Sequence, residues 1–104
     1  MVRKISQEEF KDVLASKVAL VDFSAVWCGP CKMVAPVIEA LSDELDGQVD
    51  FFNVDVDDCP EIAAEYAIMS IPALILFKDG KSVDMKVGFR PQAELAAWIK
   101  GELN

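Results

Sequence analysis

Two cysteines separated by only two residues, Cys28 and Cys31, are the side chains of this sequence best suited to chemistry. Such a pair can bind a metal, form a structural disulfide or exchange electrons. A common zinc site closes with four Cys or His ligands. The sequence holds no histidine and only one further cysteine, Cys59, so a carboxylate or water would have to complete such a site. A structural disulfide is also disfavoured, because a chain of 104 residues of which 53% are hydrophobic can bury a core without one. We therefore expect no metal site and favour electron exchange.

The residues between the two cysteines favour the same interpretation. Pro30 suits the first turn of a helix, which would place Cys28 at the helix N-terminus, where free N–H groups and the helix dipole favour a thiolate. Cys31 would then lie about one turn inside the helix, close enough to attack a mixed disulfide on Cys28. We predict that Cys28 is a nucleophile exposed to attack and that Cys31 is held back to resolve the mixed disulfide.

One acid, Asp22, interrupts the apolar run of residues 18–26 that precedes the cysteines. A carboxylate buried in such a strand loses its hydration, so we expect Asp22 to be buried with a raised pKa. A raised pKa suits a base that works near neutral pH. The alternative is that Asp22 faces solvent or caps a neighbouring backbone group.

The elements that must position these residues are predicted from hydrophobic periodicity and from residues that begin and end helices. Asp79-Gly80 predicts a tight hairpin, and alternation over residues 82–87 predicts a strand with one face on the core and one in water. This order predicts one α/β domain over residues 1–104, with a mixed sheet and helices on both faces. Helices are predicted over residues 7–16, from Pro30 to just before Gly47 with Pro36 inside, over 60–66 and from Pro91, and strands over 2–5, 18–26, 49–56, 73–77 and 82–87.

The stretch W-C-G-P-C at Trp27–Cys31 resembles the signature of the thioredoxin family. Further matches are the acid in V-D-F, an I-P pair ahead of a strand, a K-D-G hairpin at 78–80 and V-G at 87–88. The similarity spans the whole chain. It implies the thioredoxin fold, a central mixed five-stranded β-sheet flanked by four α-helices. It also implies an electron carrier that reduces protein disulfides with electrons from a thioredoxin reductase, which draws on NADPH, and that binds no cofactor itself.

The resemblance implies roles for residues around the cysteine pair. Asp22 would move protons to and from Cys31. Pro72 would follow a cis peptide bond beside the cysteines and leave the preceding backbone free to pair with an extended substrate. The expected active-site support and substrate-landing surface comprise Trp27, Gly29, Pro30, Ile71, Pro72 and Gly88.

Three residues depart from the family pattern. Ser24 stands where the family usually carries a second tryptophan, which predicts looser packing behind the site. Ala73 stands where threonine is usual, so a hydroxyl near the cysteines is missing. Phe51 stands where many members carry a lysine near the buried acid, and without that cation Asp22 should be harder to ionise.

The third cysteine, Cys59, also precedes a proline that opens a predicted helix, so it repeats the local arrangement of Cys28. Acids at positions 57, 58 and 61 should disfavour its thiolate. A plain helix-cap residue is the favoured interpretation, and an accessory thiol for regulation or dimerisation is the alternative. We expect Cys59 to alkylate slowly relative to Cys28.

Charge and hydropathy limit the classes of molecule that this chain could bind. The net charge is -8, and no Lys/Arg cluster offers a surface for nucleic acid or anionic lipid. No apolar run approaches the roughly 20 residues that span a bilayer, and the N-terminal residues lack the apolar region of a secretory signal. We expect a cytoplasmic monomer that contributes to cell redox homeostasis.

Three functions are compatible with these residues. A protein-disulfide reductase is favoured. A thiol oxidase or isomerase uses the same chemistry, but those relatives usually carry a histidine between the cysteines. A binding subunit with a thioredoxin fold and no turnover is the third, and the intact cysteine pair argues against it as the sole role.

Overall fold

In the computed structural model of this chain, which describes residues 1–103, helices cover both faces of one five-stranded sheet. The predicted mixed sheet with four α-helices is confirmed. The strands are β1 (Val2–Lys4), β2 (Val18–Ser24), β3 (Asp50–Asp55), β4 (Ala73–Lys78) and β5 (Lys81–Val87). The helices are α1 (Lys11–Ala15), entered through a 3-10 turn at Glu8–Phe10, α2 (Gly29–Glu44), α3 (Pro60–Glu65) and α4 (Gln92–Gly101).

Strand β2 lies at the centre of the sheet, whose strand order is β1-β3-β2-β4-β5. β1 and β2 both run parallel to β3, whereas β4 is antiparallel to both β2 and β5. Because β2 is covered on both faces, residues 18–23 are all buried, as its continuous apolar run predicts. The chain leaves the carboxyl end of β2 and enters α2 within a few residues, which brings the cysteines to this edge of the sheet.

The two larger sets of buried apolar side chains lie on opposite faces of the sheet. On one face of the sheet, Val13 from α1 and Ile62 from α3 pack against β2, β3 and β4. On the other face, Ile38 from α2 and Ile99 from α4 do so. Pro36 lies inside α2, as predicted. Within residues 1–103, no helix combines the length and hydropathy needed to cross a membrane.

The turn between β4 and β5 confirms the predicted hairpin. Asp79 and Gly80 both have positive φ angles, 52° and 81°, which is the backbone of a two-residue type I′ turn. A Cβ on residue 80 would lie 2.8 Å from the carbonyl oxygen of Leu14. Only glycine therefore fits this position without a backbone shift.

The prediction that β5 turns an apolar face to the core is wrong. Val83 and Met85 are each 45% exposed, because β5 is an edge strand and α3, on their side of the sheet, is only six residues long. The polar residues face α4 instead. Asp84 accepts a hydrogen bond of 2.8 Å from Trp98 Nε1, and the Lys86 ammonium lies 5.4 Å from the centre of the same indole ring.

Candidate active site

The helix α2 begins at the cysteine pair. Cys28 is the N-cap residue, with an extended backbone, and Pro30 lies in the first turn. The N–H of Cys31 donates to Cys28 Sγ at 3.2 Å, so one of the free N–H groups of the helix start points at this sulfur. The predicted position of Cys28 at a helix N-terminus is confirmed.

Cys28 and Cys31 are joined by a disulfide, with their Cα atoms 5.3 Å apart. The expectation that Cys28 is the exposed cysteine is wrong for this oxidised state, because both cysteines are only 4% exposed. Both are packed with Ala25 and Ile71. The two cysteines therefore differ in the groups that surround each sulfur and not in solvent exposure.

Cys28 faces the loop that leads into β4. Its Sγ lies 3.9 Å from the carbonyl oxygen of Ile71, and the Ile71–Pro72 peptide bond is cis, as the resemblance implies. The N–H of Gly88, at the end of β5, donates to the Pro72 carbonyl at 2.8 Å. Ile71 and Pro72 are therefore tied to Gly88, a landing residue from a separate segment, next to Cys28.

Trp27 stands at the edge of this surface and is 69% exposed. Its Nε1 donates to Asp57 Oδ2 at 2.8 Å. Asp57 is in turn held by the preceding turn, since Asp55 Oδ1 accepts the N–H of Asp57 at 2.8 Å. In the sequence, Asp57 is notable only as a charge near Cys59. Its contact with Trp27 joins residues 30 positions apart, and no local sequence signal indicates it.

Asp22 is 3% exposed, which confirms its predicted burial and excludes the solvent-facing alternative. Burial raises the pKa of Asp22 to about 6, with the Asn53 side chain acting in the opposite direction. Among residues 1–103, no group forms a hydrogen bond with Asp22 Oδ1. Phe51 offers it no cation and is buried among apolar side chains on the same face of the sheet. The Lys4 ammonium, from β1, lies 3.8 Å from Asp58 Oδ2 and forms its ion pair there.

Asp22 and Cys31 share a cavity of about 360 Å³. Ser24 also lines it, and its hydroxyl accepts a hydrogen bond of 2.8 Å from Asn53 Nδ2. The looser packing predicted at this serine is therefore present as open space beside the buried acid and the second cysteine.

Cys59 occupies the N-cap of α3, but its side chain makes no capping hydrogen bond. It is 1% exposed, and its Sγ lies 3.9 Å from the carbonyl oxygen of Ile5. Burial is the main cause that raises the pKa of this thiol, followed by Asp58 and Asp55, whereas Lys4 lowers it. Of the acids predicted to act on this thiol, only Asp58 does so; Asp55 is the second acid instead of Asp57 or Glu61, and burial exceeds both.

In the described part of the chain, no three Cys, Asp or Glu side chains converge in a way that could hold a metal ion. The groups at the carboxyl edge of the sheet are one disulfide, an apolar surface and two buried carboxyls, Asp22 and Asp55. Asp55 is engaged with the N–H groups of Asp57 and Asp58, which leaves Asp22 as the carboxyl free to act. This arrangement can accept and donate electrons through sulfur and can move a proton.

Comparison with known proteins gives the same assignment. The Thioredoxin family model matches residues 1–101. Proteins named thioredoxin from Staphylococcus epidermidis and Staphylococcus aureus are 53% and 52% identical to this chain over 93 residues, which cover 89% of each chain. A thioredoxin from Staphylococcus saprophyticus is 50% identical over 100 residues, or 96% of each chain. The chain therefore belongs to the thioredoxin family, whose members are thiol–disulfide oxidoreductases.

Proposed function

We propose that this chain performs the disulfide reduction of its family with Cys28 as the nucleophile and Cys31 as the resolving cysteine. The observation that carries these roles is the start of α2, where the N–H of Cys31 points at Cys28 Sγ. In the reduced protein the same N–H and the helix dipole stabilise a thiolate on Cys28. Cys31 has no equivalent position, because it lies inside the helix.

The reaction consists of two exchanges. The Cys28 thiolate attacks one sulfur of a substrate disulfide, which breaks that bond, forms a mixed disulfide and releases one substrate thiolate that takes up a proton. Cys31 then loses its proton and attacks Cys28 Sγ. The Cys28–Cys31 disulfide forms, the second substrate thiolate leaves and is protonated, and two electrons have passed to the substrate.

Asp22 is the proposed acceptor of the Cys31 proton. The two residues line one cavity, and a carboxyl with a pKa of about 6 is mostly ionised at neutral pH yet still basic enough to accept a proton. An ordinary aspartate, with a pKa near 3.8, would be a weaker base. The cost of burying this carboxyl therefore serves the second exchange.

The substrate is proposed to dock on Trp27, Ile71, Pro72 and Gly88, with Gly29 and Pro30 at the helix start supporting the site. The Ile71 backbone, beside Cys28 Sγ, is suited to pair with an extended segment of the substrate, as in strand addition to an open edge. Apolar contact with the exposed Trp27 ring would add affinity.

Regeneration of the dithiol is proposed to come from a thioredoxin reductase that draws electrons from NADPH, with no cofactor bound to this chain. We further propose a cytoplasmic monomer with one thioredoxin domain over residues 1–104, of which Asn104 lies outside the described residues. The net charge of -8 supports protein partners over nucleic acid or a membrane surface.

Reduction of insulin disulfides by dithiothreitol tests the activity, with and without the protein and then with NADPH and a thioredoxin reductase. We expect acceleration in both formats and accumulation of a mixed disulfide on Cys28 in a Cys31→Ser variant. No acceleration in either format would favour a binding subunit. Faster oxidation of reduced substrates than reduction of oxidised ones would favour an oxidase.

A further inference from the structure

The peptide group between Val87 and Gly88, at the end of β5, is held at both ends. Its N–H, which belongs to Gly88, donates to the Pro72 carbonyl oxygen at 2.8 Å. Its C=O, which belongs to Val87, accepts a hydrogen bond of 3.2 Å from Arg90 Nη2. The orientation of this peptide plane is therefore fixed on one side by the loop before β4 and on the other by the Arg90 side chain.

The backbone at Gly88 does little to fix that orientation by itself. Gly88 has a φ of 90°, and glycine populates positive and negative φ about equally well. Rotation of the peptide plane would break the hydrogen bond to the Pro72 carbonyl and change the polar groups that this edge presents to a substrate. Contacts from outside the peptide must therefore hold it in place.

The Arg90 guanidinium bridges the end of β5 and the first turn of α4. Its Nη1 lies 2.9 Å from Glu94 Oε2, while its Nη2 reaches the Val87 carbonyl. A guanidinium presents its donors in a rigid planar fork that can serve two acceptors at once, whereas a lysine ammonium is a point charge without this geometry. Pro91, the N-cap residue of α4, has no side-chain oxygen that could cap the helix. Arg90 therefore ties this loop to α4.

Glu94 is itself held in place by its neighbours. Lys86 Nζ lies 3.8 Å from Glu94 Oε2, and the same ammonium lies 5.4 Å from the centre of the Trp98 ring. Trp98 Nε1 in turn donates to Asp84 Oδ2 at 2.8 Å. An isolated ion pair at the surface contributes little, but groups joined in a network restrain one another. Glu94 is thus a restrained partner for the Arg90 guanidinium.

A short series of contacts joins the held peptide to the reacting sulfur. Cys28 Sγ lies 3.9 Å from the Ile71 carbonyl oxygen, and the next residue, Pro72, accepts the Gly88 N–H. On the proposed landing surface, a protein whose disulfide reaches Cys28 would contact this edge. A displaced peptide would therefore alter the docking surface and leave the cysteine pair itself unchanged.

We propose that Arg90 is a positioning residue for protein substrates, because its guanidinium holds the Val87–Gly88 peptide in the orientation on which the substrate docks. The inference rests on the proposed landing surface, which includes Gly88. Arg90 acts on docking and not on sulfur exchange, so its loss should raise KM for a protein disulfide and leave kcat unchanged. Reduction of a small disulfide, which needs no landing surface, should be unaffected.

The test compares Arg90→Met and Arg90→Lys with Lys100→Met. Lys100 Nζ, at the other end of α4, lies 2.9 Å from Glu44 Oε2, so this control breaks an ion pair of the same helix away from the site. KM and kcat for insulin would be measured for each variant, with oxidised mercaptoethanol as an uncharged small disulfide. Hydrogen exchange at the Gly88 amide, measured by NMR on the oxidised proteins, would report directly on the held peptide.

We expect Arg90→Met to raise KM for insulin about fivefold, the equivalent of one lost hydrogen bond, with kcat and the small-disulfide rate within about twofold of native. The Gly88 N–H should exchange faster by a similar factor. Arg90→Lys should show the same changes, because it keeps the charge and loses the fork. Lys100→Met should show none of them.

The results that would overturn the proposal differ in what else they affect. Faster Gly88 exchange with a native KM in both Arg90 variants would mean that Arg90 holds the peptide but that the proposed landing on Gly88 fails. Unchanged Gly88 exchange in both would mean that Arg90 does not hold the peptide, and the landing surface would stand. A native KM restored by Arg90→Lys would show that charge alone acts. A native protein that reduces neither disulfide would refute the proposed function itself.

Discussion

Two cysteines in this protein stand in the same local setting, each just before a proline at the start of a helix. Cys28 precedes Gly29-Pro30 and caps α2, which has 16 residues, whereas Cys59 precedes Pro60 and caps α3, which has six. The sulfur of Cys28 accepts a helix N–H. The sulfur of Cys59 accepts none and lies against the Ile5 carbonyl instead.

The difference between the two helix starts comes from what packs against them. Cys28 meets a loop from the other half of the chain, with Ile71 beside its sulfur, and it has a partner cysteine one turn away. Cys59 is enclosed by the core beneath β1 and β3, where burial raises the pKa of its thiol. A helix N-terminus is thus insufficient to make a reactive cysteine, and the tertiary neighbours decide the outcome.

The largest expected contrast is between the same substitution at the two sites. Cys28→Ala should lower the rate of insulin reduction at least about 1000-fold, because no covalent intermediate can form. Cys59→Ala should keep the rate within about twofold, since this thiol lies outside the site. Turnover assays on both variants check this, with circular dichroism to confirm that each folds. Equal losses in the two variants would contradict the distinction.

The next contrast between the two cysteine sites is a buried acid. Only the Cys28 site has a buried carboxyl, Asp22, whose pKa is raised. Folded Asp22 holds its proton more tightly than the unfolded chain does, so stability should fall as pH rises from about 4 to about 6 and stay lower above that range. At about 1.4 kcal/mol per tenfold change in proton affinity, the cost to the folded state at pH 7 is about 3 kcal/mol.

Asp22→Asn should therefore raise the free energy of unfolding by up to about 3 kcal/mol at pH 7 and leave it nearly unchanged at pH 3, where both states are protonated. Urea unfolding at the two pH values measures this. The same variant should lose the decline in stability between pH 4 and 6. A variant that is no more stable than the native protein at pH 7 would show that the carboxyl is not strained by burial.

The smallest expected effect concerns the loop that follows β3, because residues of this loop lie near both cysteines that cap a helix. Asp57 holds the Trp27 indole, whereas its neighbour Asp58 lies near Cys59 and Lys4. Asp57→Ala should raise KM for insulin about fivefold, the equivalent of one lost hydrogen bond, with little change in kcat. Asp58→Ala is the matched control and should leave KM unchanged. Similar KM values in the two variants would mean that the indole contact does not position Trp27 for substrate.

Local sequence signals predicted the parts of the structure that depend on neighbours along the chain. The apolar run before Cys28 indicated a central strand, Pro30 indicated a helix start, and Asp79-Gly80 indicated the hairpin. Each signal acts over a few residues, through backbone geometry or burial on both faces of a strand. The position of Asp22 within that apolar run was enough to predict its burial and raised pKa.

Contacts between distant segments were not predictable in the same way. The alternation of apolar and polar residues in β5 was visible in the sequence, but it did not show which face a helix would cover. Helix α4 covers the polar face, so Asp84 and Lys86 contact Trp98. Val83, on the other face, is exposed. The pairing of Trp27 with Asp57 likewise depends on how two loops meet. The low exposure of Cys28 arises from the Ile71 loop, which no residue near the cysteine indicates.

The pH dependence of alkylation at each cysteine tests the central claim most directly. The reduced protein would be treated briefly with iodoacetamide across a pH series, and modification at Cys28 and Cys59 would be quantified by peptide mass spectrometry. We predict that Cys28 reacts much faster at pH 7 and reaches half its maximal rate below about pH 8.5, the value for a free cysteine, while Cys59 reacts slowly until the protein unfolds. Comparable rates at the two cysteines in the folded protein would contradict the account.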